Sequence, residues 1–154
     1  MYTRDDCIRD TMQHSEHVRQ NLSIIIEQLR DRAQHHDESK LSEAEIDGFT
    51  EYTPKLKYAE FGSEEYENFL TELKPVLAHH YQENRHHPEH FANGYRDMNL
   101  VDLVEMFCDW LASTQRMARG DIYKSIEHVQ KRFVLSDDLV QILKNTAKDV
   151  FHVS

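Results

Sequence analysis

Imidazoles and carboxylates recur along this chain at positions that no single loop could bring together. His17 stands in Glu16-His17-Val18-Arg19, and His36-Asp37 lies in His35-His36-Asp37-Glu38-Ser39-Lys40. His79, His80, His86, His87 and His90 crowd into one short stretch around Arg85, and Asp109 follows in Glu105-Met106-Phe107-Cys108-Asp109-Trp110. Seven of the eleven histidines fall at positions 35–36 and 79–90, a bias that scattered surface histidines do not need. Neutral imidazole and carboxylate are the donors that Zn, Fe, Mn and Ni accept together. Donors spread this widely and gathered only by folding suggest a catalytic metal centre. The plainer reading of the 79–90 run is an exposed polar loop with incidental metal affinity.

The elements that must position these groups read as helices. Four glycines and three prolines leave little turn chemistry for a sheet. Ile8, Met12, Val18, Leu22, Ile25, Ile26 and Leu29 recur at helical spacing and give a first helix over about 4–30. Ser42 with Glu45 reads as a capping box that opens a second helix near 43. A third spans about 64–83, bent or interrupted at Pro75. Residues 84–94 read as loop. Asn99 caps a helix of about 100–118 that stops at Gly120, Asp121 caps one of about 122–133, and Ser136 caps one of about 137–151. The expected fold is one all-α domain over 1–154 with six or seven helices.

Geometry constrains the metal idea. His17 and His36 would lie about 28 Å apart on one unbroken helix, at ~1.5 Å of rise per residue. Ligands of one ion bind at about 2.0–2.1 Å, so the chain must reverse between them, near Arg30-Asp31. On the helix after Asn99, the apolar stripe is Leu100, Leu103, Val104, Phe107, Trp110, Leu111 and Thr114. Asp109 falls almost opposite it, beside Asp102, Glu105 and Arg116. That side is either an ordinary solvated acidic face or the wall of a polar cleft. His14 sits nearer than His17 to the apolar stripe of the first helix, as a core histidine or an alternative ligand. His128 and His152 read as structural or surface residues.

The order His … His-Asp … His … Asp on a helical chain resembles the HD superfamily of metal-dependent phosphohydrolases. His36-Asp37-Glu38-Ser39-Lys40 looks like that family's His-Asp-x-x-Lys. With Glu105-Met106 and Asp109-Trp110 downstream, it resembles small bacterial and phage HD-like proteins of unestablished activity. The likeness covers roughly residues 14–115. It implies an all-helical HD-like fold and a metal held by His17, His36, Asp37 and Asp109. His80 and His87 would serve a second metal or a phosphate, with His79, His86 and His90 as close competitors. The implied reaction is hydrolysis of a phosphate ester, a small nucleotide above all, using one or two ions of Mn, Fe, Co, Ni or Zn. Asp37 would both bind metal and orient water. Lys40 would neutralise a phosphoryl oxygen, Glu105 orient an imidazole or a water, and Arg85 clamp phosphate. Two other readings share the ligand set: a di-iron oxygenase, and a non-catalytic metal- or nucleotide-binding regulatory module.

Composition narrows the partners. One hundred and fifty-four residues with a formal charge of −10 lack the basic face of a nucleic-acid binder. A small anionic nucleotide stays admissible, because a bound cation reverses the local field. Cys7 and Cys108, both in amphipathic patterns, argue against a disulfide framework. With no membrane-length apolar run and no signal-peptide pattern, a reducing cytoplasm is expected. A homo-oligomer stays open. There is no His-Glu-x-x-His, glycine-rich phosphate loop, Cys-x-x-Cys pair or nucleophile elbow.

Overall fold

The computed structural model describes residues 1–60, 62–117 and 120–153. Among these, every regular element is helical: seven α-helices and three short 3-10 turns. Contacts group the chain into two units, Met1–His36 and Asp37–Ser154, where sequence length suggests one domain.

The first unit is a single helix, α1 (Arg4–His35). Thr3 opens it with a capping box: its hydroxyl accepts from the Asp6 amide, and the Asp6 carboxylate accepts from the Thr3 amide. No proline or glycine interrupts the helix. The reversal expected near Arg30-Asp31 does not occur, and α1 runs unbroken past it to His35.

In the second unit, α2 is Ile46–Tyr58, α3 Glu64–Glu72, α4 Lys74–Glu83, α5 Leu100–Arg116, α6 Ile122–Phe133 and α7 Asp137–Asp149. The helix expected over 64–83 is two helices, parted at Leu73 with Pro75 in the first turn of α4. Proline there forfeits no internal hydrogen bond, so it starts a helix more cheaply than it bends one. Asn99 caps α5 twice over, accepting from the amides of Val101 and Asp102. Asp121 and Ser136 cap α6 and α7 as their spacing predicts. α5 is helical to Arg116, and residue 118, the last of the expected helix, lies outside the described residues.

The apolar core lies in the last third of the chain. Phe107 and Leu111 of α5 pack with Ile122, Ile126 and Val129 of α6, then Leu135, and Val140, Leu143 and Ala147 of α7. Each large side chain here contributes about 1.5–3 kcal/mol. Residues 37–99 differ: among the described residues there, the buried apolar side chains are Ala59, Leu73 and Pro88, while the most buried groups include Glu45, His80 and His86. That half is organised around polar groups, and it presents the candidate site.

Candidate metal centre

Asp37 is the hub. It precedes the 3-10 turn Glu38–Leu41 with φ 59 and ψ 16, in the left-handed region. Aspartate tolerates this conformation better than most residues, but it still costs on the order of 1 kcal/mol and tends to mark functional positions. The Lys40 ammonium, one turn on, pairs with Asp37 Oδ2. That leaves Oδ1 facing His80 Nε2 at 3.2 Å and His86 Nε2 at 3.4 Å.

Two segments deliver the imidazoles. α4 carries His80, buried to 1% exposure. The short loop after it carries His86, equally buried, and His87. His87 precedes Pro88, whose ring excludes the helical conformation from its neighbour. His87 is accordingly extended, at φ −97 and ψ 128, and its ring turns back so that Nε2 lies 3.0 Å from His80 Nε2. Asp37, His80, His86 and His87 each offer one donor atom, all within 4.8 Å of one another.

These spacings suit an ion. Adjacent donors bound at ~2.0–2.1 Å lie about 2.9–3.4 Å apart, from right-angled to tetrahedral arrangement. The separations of Asp37 Oδ1 from His80 and His86, and of His80 from His87, span 3.0 to 3.4 Å. The protonation state suits one too. Burial, then the neighbouring His86 and His80, push the His87 imidazole from 6.5 down to about 2, so it stays neutral as a ligand must.

Carboxylates stand behind two of the imidazoles. Glu105 of α5 has Oε1 3.2 Å from His86 Nδ1. Glu45 is fully buried, with Oε2 2.9 Å from His80 Nδ1 and Oε1 2.7 Å from His79 Nδ1. Imidazoles backed in this way by carboxylates are typical of metal ligands. Asp109, half-buried, offers a carboxylate oxygen within 4.8 Å of one on Asp37.

The structure separates the expected site residues into those it gathers and those it does not. Asp37, His80 and His87 converge, and His86, a competitor in the sequence, joins them. Lys40, Glu105 and Asp109 stand beside this set. His36 closes the first unit, one peptide bond before Asp37. His17 is not brought to it: the unbroken helix keeps the two about 28 Å apart at ~1.5 Å per residue. Arg85 faces the fold instead of a substrate. Its Nε and Nη2 donate to Asp102 at 3.2 and 3.0 Å, and its guanidinium lies over Phe91. His90 is tied to the Tyr81 carbonyl through Nδ1, and His79 to Glu45.

Of the two readings left open for the acidic side of α5, the solvated face does not hold at Asp102 and Glu105: Asp102 is fully buried against Arg85, and Glu105 is buried against His86. Hydropathy periodicity registers polarity and cannot see a polar partner. One sequence expectation needs correcting: Ser42 and Glu45 form no capping box. Glu45 is itself the residue before α2, its side chain makes no cap, and it turns to the histidines. No local signal separates these two uses of a glutamate, because its partners lie 34 and 35 residues away.

No curated protein and no solved structure matches this chain. One family model does, over residues 3–149, from the cap of α1 to the last residue of α7, and so takes in every donor of the centre. The chain belongs to that family, a family of unknown function designated DUF5662.

Proposed function

We propose that Asp37, His80, His86 and His87 hold a divalent transition-metal ion, and that the centre hydrolyses a phosphate ester. The observation that carries this reading is the set of four donors at ligand-like spacing with glutamates behind two of the imidazoles. Three neutral imidazoles and one carboxylate leave a divalent ion with net positive charge. That is how a chain of formal charge −10 would attract an anionic substrate. When bound, such an ion supplies a Lewis acid and lowers the pKa of a nearby water toward neutrality.

The chain's own groups do the rest. Asp37 presents one oxygen to the donor cluster while Lys40 holds the other. Lys40 thus places a compact positive charge at the edge of the centre, where it balances a phosphoryl oxygen. Asp109, beside Asp37, takes up a proton from the attacking water or adds a donor for a second ion. A small nucleotide is the substrate class implied by the resemblance to HD phosphohydrolases.

The test is elemental analysis of the gently purified protein, followed by nucleotides and phosphodiesters assayed with Mn, Co, Ni and Mg. The proposal expects a stoichiometric transition metal and metal-dependent phosphate release that Asp37→Asn abolishes. Iron with O₂ consumption and no phosphate release would assign the same donors to an oxygenase. Protein that takes up no metal would overturn both.

A further inference from the structure

Glu45 is a buried carboxylate outside the set of four donors. We infer that Glu45 is a positioning residue for the metal centre: it fixes the tautomer of His80, so that Nε2 faces the ion with a free lone pair. The inference rests on the proposed metal site, though not on the reaction assigned to it.

Hydrogens and acceptors around His80 can be counted. A carboxylate only accepts hydrogen bonds, so an imidazole nitrogen bonded to one must carry the proton. Three groups reach Glu45: His79 Nδ1 at 2.7 Å on Oε1, and His80 Nδ1 at 2.9 Å and Ser39 Oγ at 3.0 Å, both on Oε2. A competing arrangement would reverse His80. Asn84 Nδ2 and Ser39 Oγ both lie 3.1 Å from its Nδ1, and a hydrogen from either would need a lone pair there. Those hydrogens are already used. Asn84 donates its two to Ser39 Oγ at 2.7 Å and to the His80 carbonyl at 2.8 Å. Ser39 donates its one to Glu45. His80 Nδ1 therefore holds its own proton and gives it to Glu45. In a neutral ring the lone pair then sits on Nε2, the atom aimed at Asp37 Oδ1 and His87 Nε2.

The placement also answers why a glutamate starts α2 without capping it. α2 begins one residue after Glu45, so its first turn is registered to α4 through this carboxylate. Gly48, one turn on, lets α4 approach closely: a Cβ there would meet Val76 Cγ2 at 2.6 Å.

Two measurements decide the matter. On the wild-type chain with Zn bound, long-range ¹H–¹⁵N spectra report each histidine tautomer. His80 should carry its proton on Nδ1, and a proton on Nε2 would overturn the inference whatever any variant does. The second is Zn affinity by chelator competition for wild type and Glu45→Gln, with circular dichroism to confirm helicity. Glutamine keeps the size but offers one acceptor for three donors. Loss of an outer partner of this kind should weaken binding about 10- to 100-fold. A folded Glu45→Gln protein with wild-type affinity would overturn the role of Glu45 and leave the metal site standing. A wild type that binds no Zn would remove both.

Discussion

At the scale of single residues, Asp37 is where backbone and chemistry meet. Asparagine adopts the left-handed conformation about as readily, so Asp37→Asn should keep the fold while removing the anionic donor. The expected outcome is unchanged circular dichroism with loss of retained metal, read by elemental analysis. His87 supplies a pH dependence of known sign. Its folded pKa of about 2 lies below the ordinary 6.5, so the unfolded chain takes up a proton first as pH falls. The stability is fully present above about 6.5 and declines below it, by at most about 1.4 kcal/mol per pH unit. In metal-free protein, denaturant midpoints at pH 7.5 and 5.5 should therefore differ more for wild type than for His87→Gln. An equal difference in both proteins would show that His87 does not titrate in this way.

At the scale of elements, what the sequence makes legible is what depends on near neighbours. Asn99, Asp121 and Ser136 are caps whose partners lie two or three residues on, and all three function as their spacing indicates. Pro75 marks a break for an equally local reason. The set Asp37, His80, His86 and His87 is only half visible, because density of histidine shows a region and not which rings turn inward. Glu45 and Asp102 are invisible as site or core residues, since their partners, His79, His80 and Arg85, are distant in sequence. The continuity of α1 is a further case: the apolar pattern runs out at Leu29 and the ligand hypothesis asked for a turn near Arg30-Asp31, but nothing between Gln28 and His35 stops a helix. The α2–α4 packing yields a prediction at this scale. Gly48→Ala forces its Cβ on the branched side chain of Val76, and overpacking of this sort costs about 1–3 kcal/mol. Thermal melts should show the loss, and Zn affinity should fall with it, because α4 carries His80. Full affinity in the destabilised variant would separate helix packing from site geometry.

At the scale of the whole molecule, metal and fold are linked by mass action. No helix among the described residues is long and apolar enough to cross a membrane. An ion that binds only the folded chain raises its melting temperature by an amount that grows with the logarithm of free ion over its dissociation constant, and imidazoles must be unprotonated to bind it. Chelator should lower the melting temperature of metal-loaded protein at pH 7.5 and lower it less at pH 5.5, where less ion is bound at the outset. Protein with measured metal content whose melting curve ignores chelator at both values would separate the ion from the fold.

The uneven distribution of apolar burial also divides the second unit by how readily its parts open. α5, α6 and α7 share a contiguous apolar cluster, whereas residues 37–99 close around imidazoles and carboxylates. Without an ion, the latter segment should unfold locally at far lower free energy than the molecule as a whole. Amide hydrogen exchange would map this directly. Stripping the metal should leave protection in α6 and α7 nearly unchanged and strongly accelerate exchange in α4 and the His86–His87 loop. The ion would then act as the missing core of the segment that binds it.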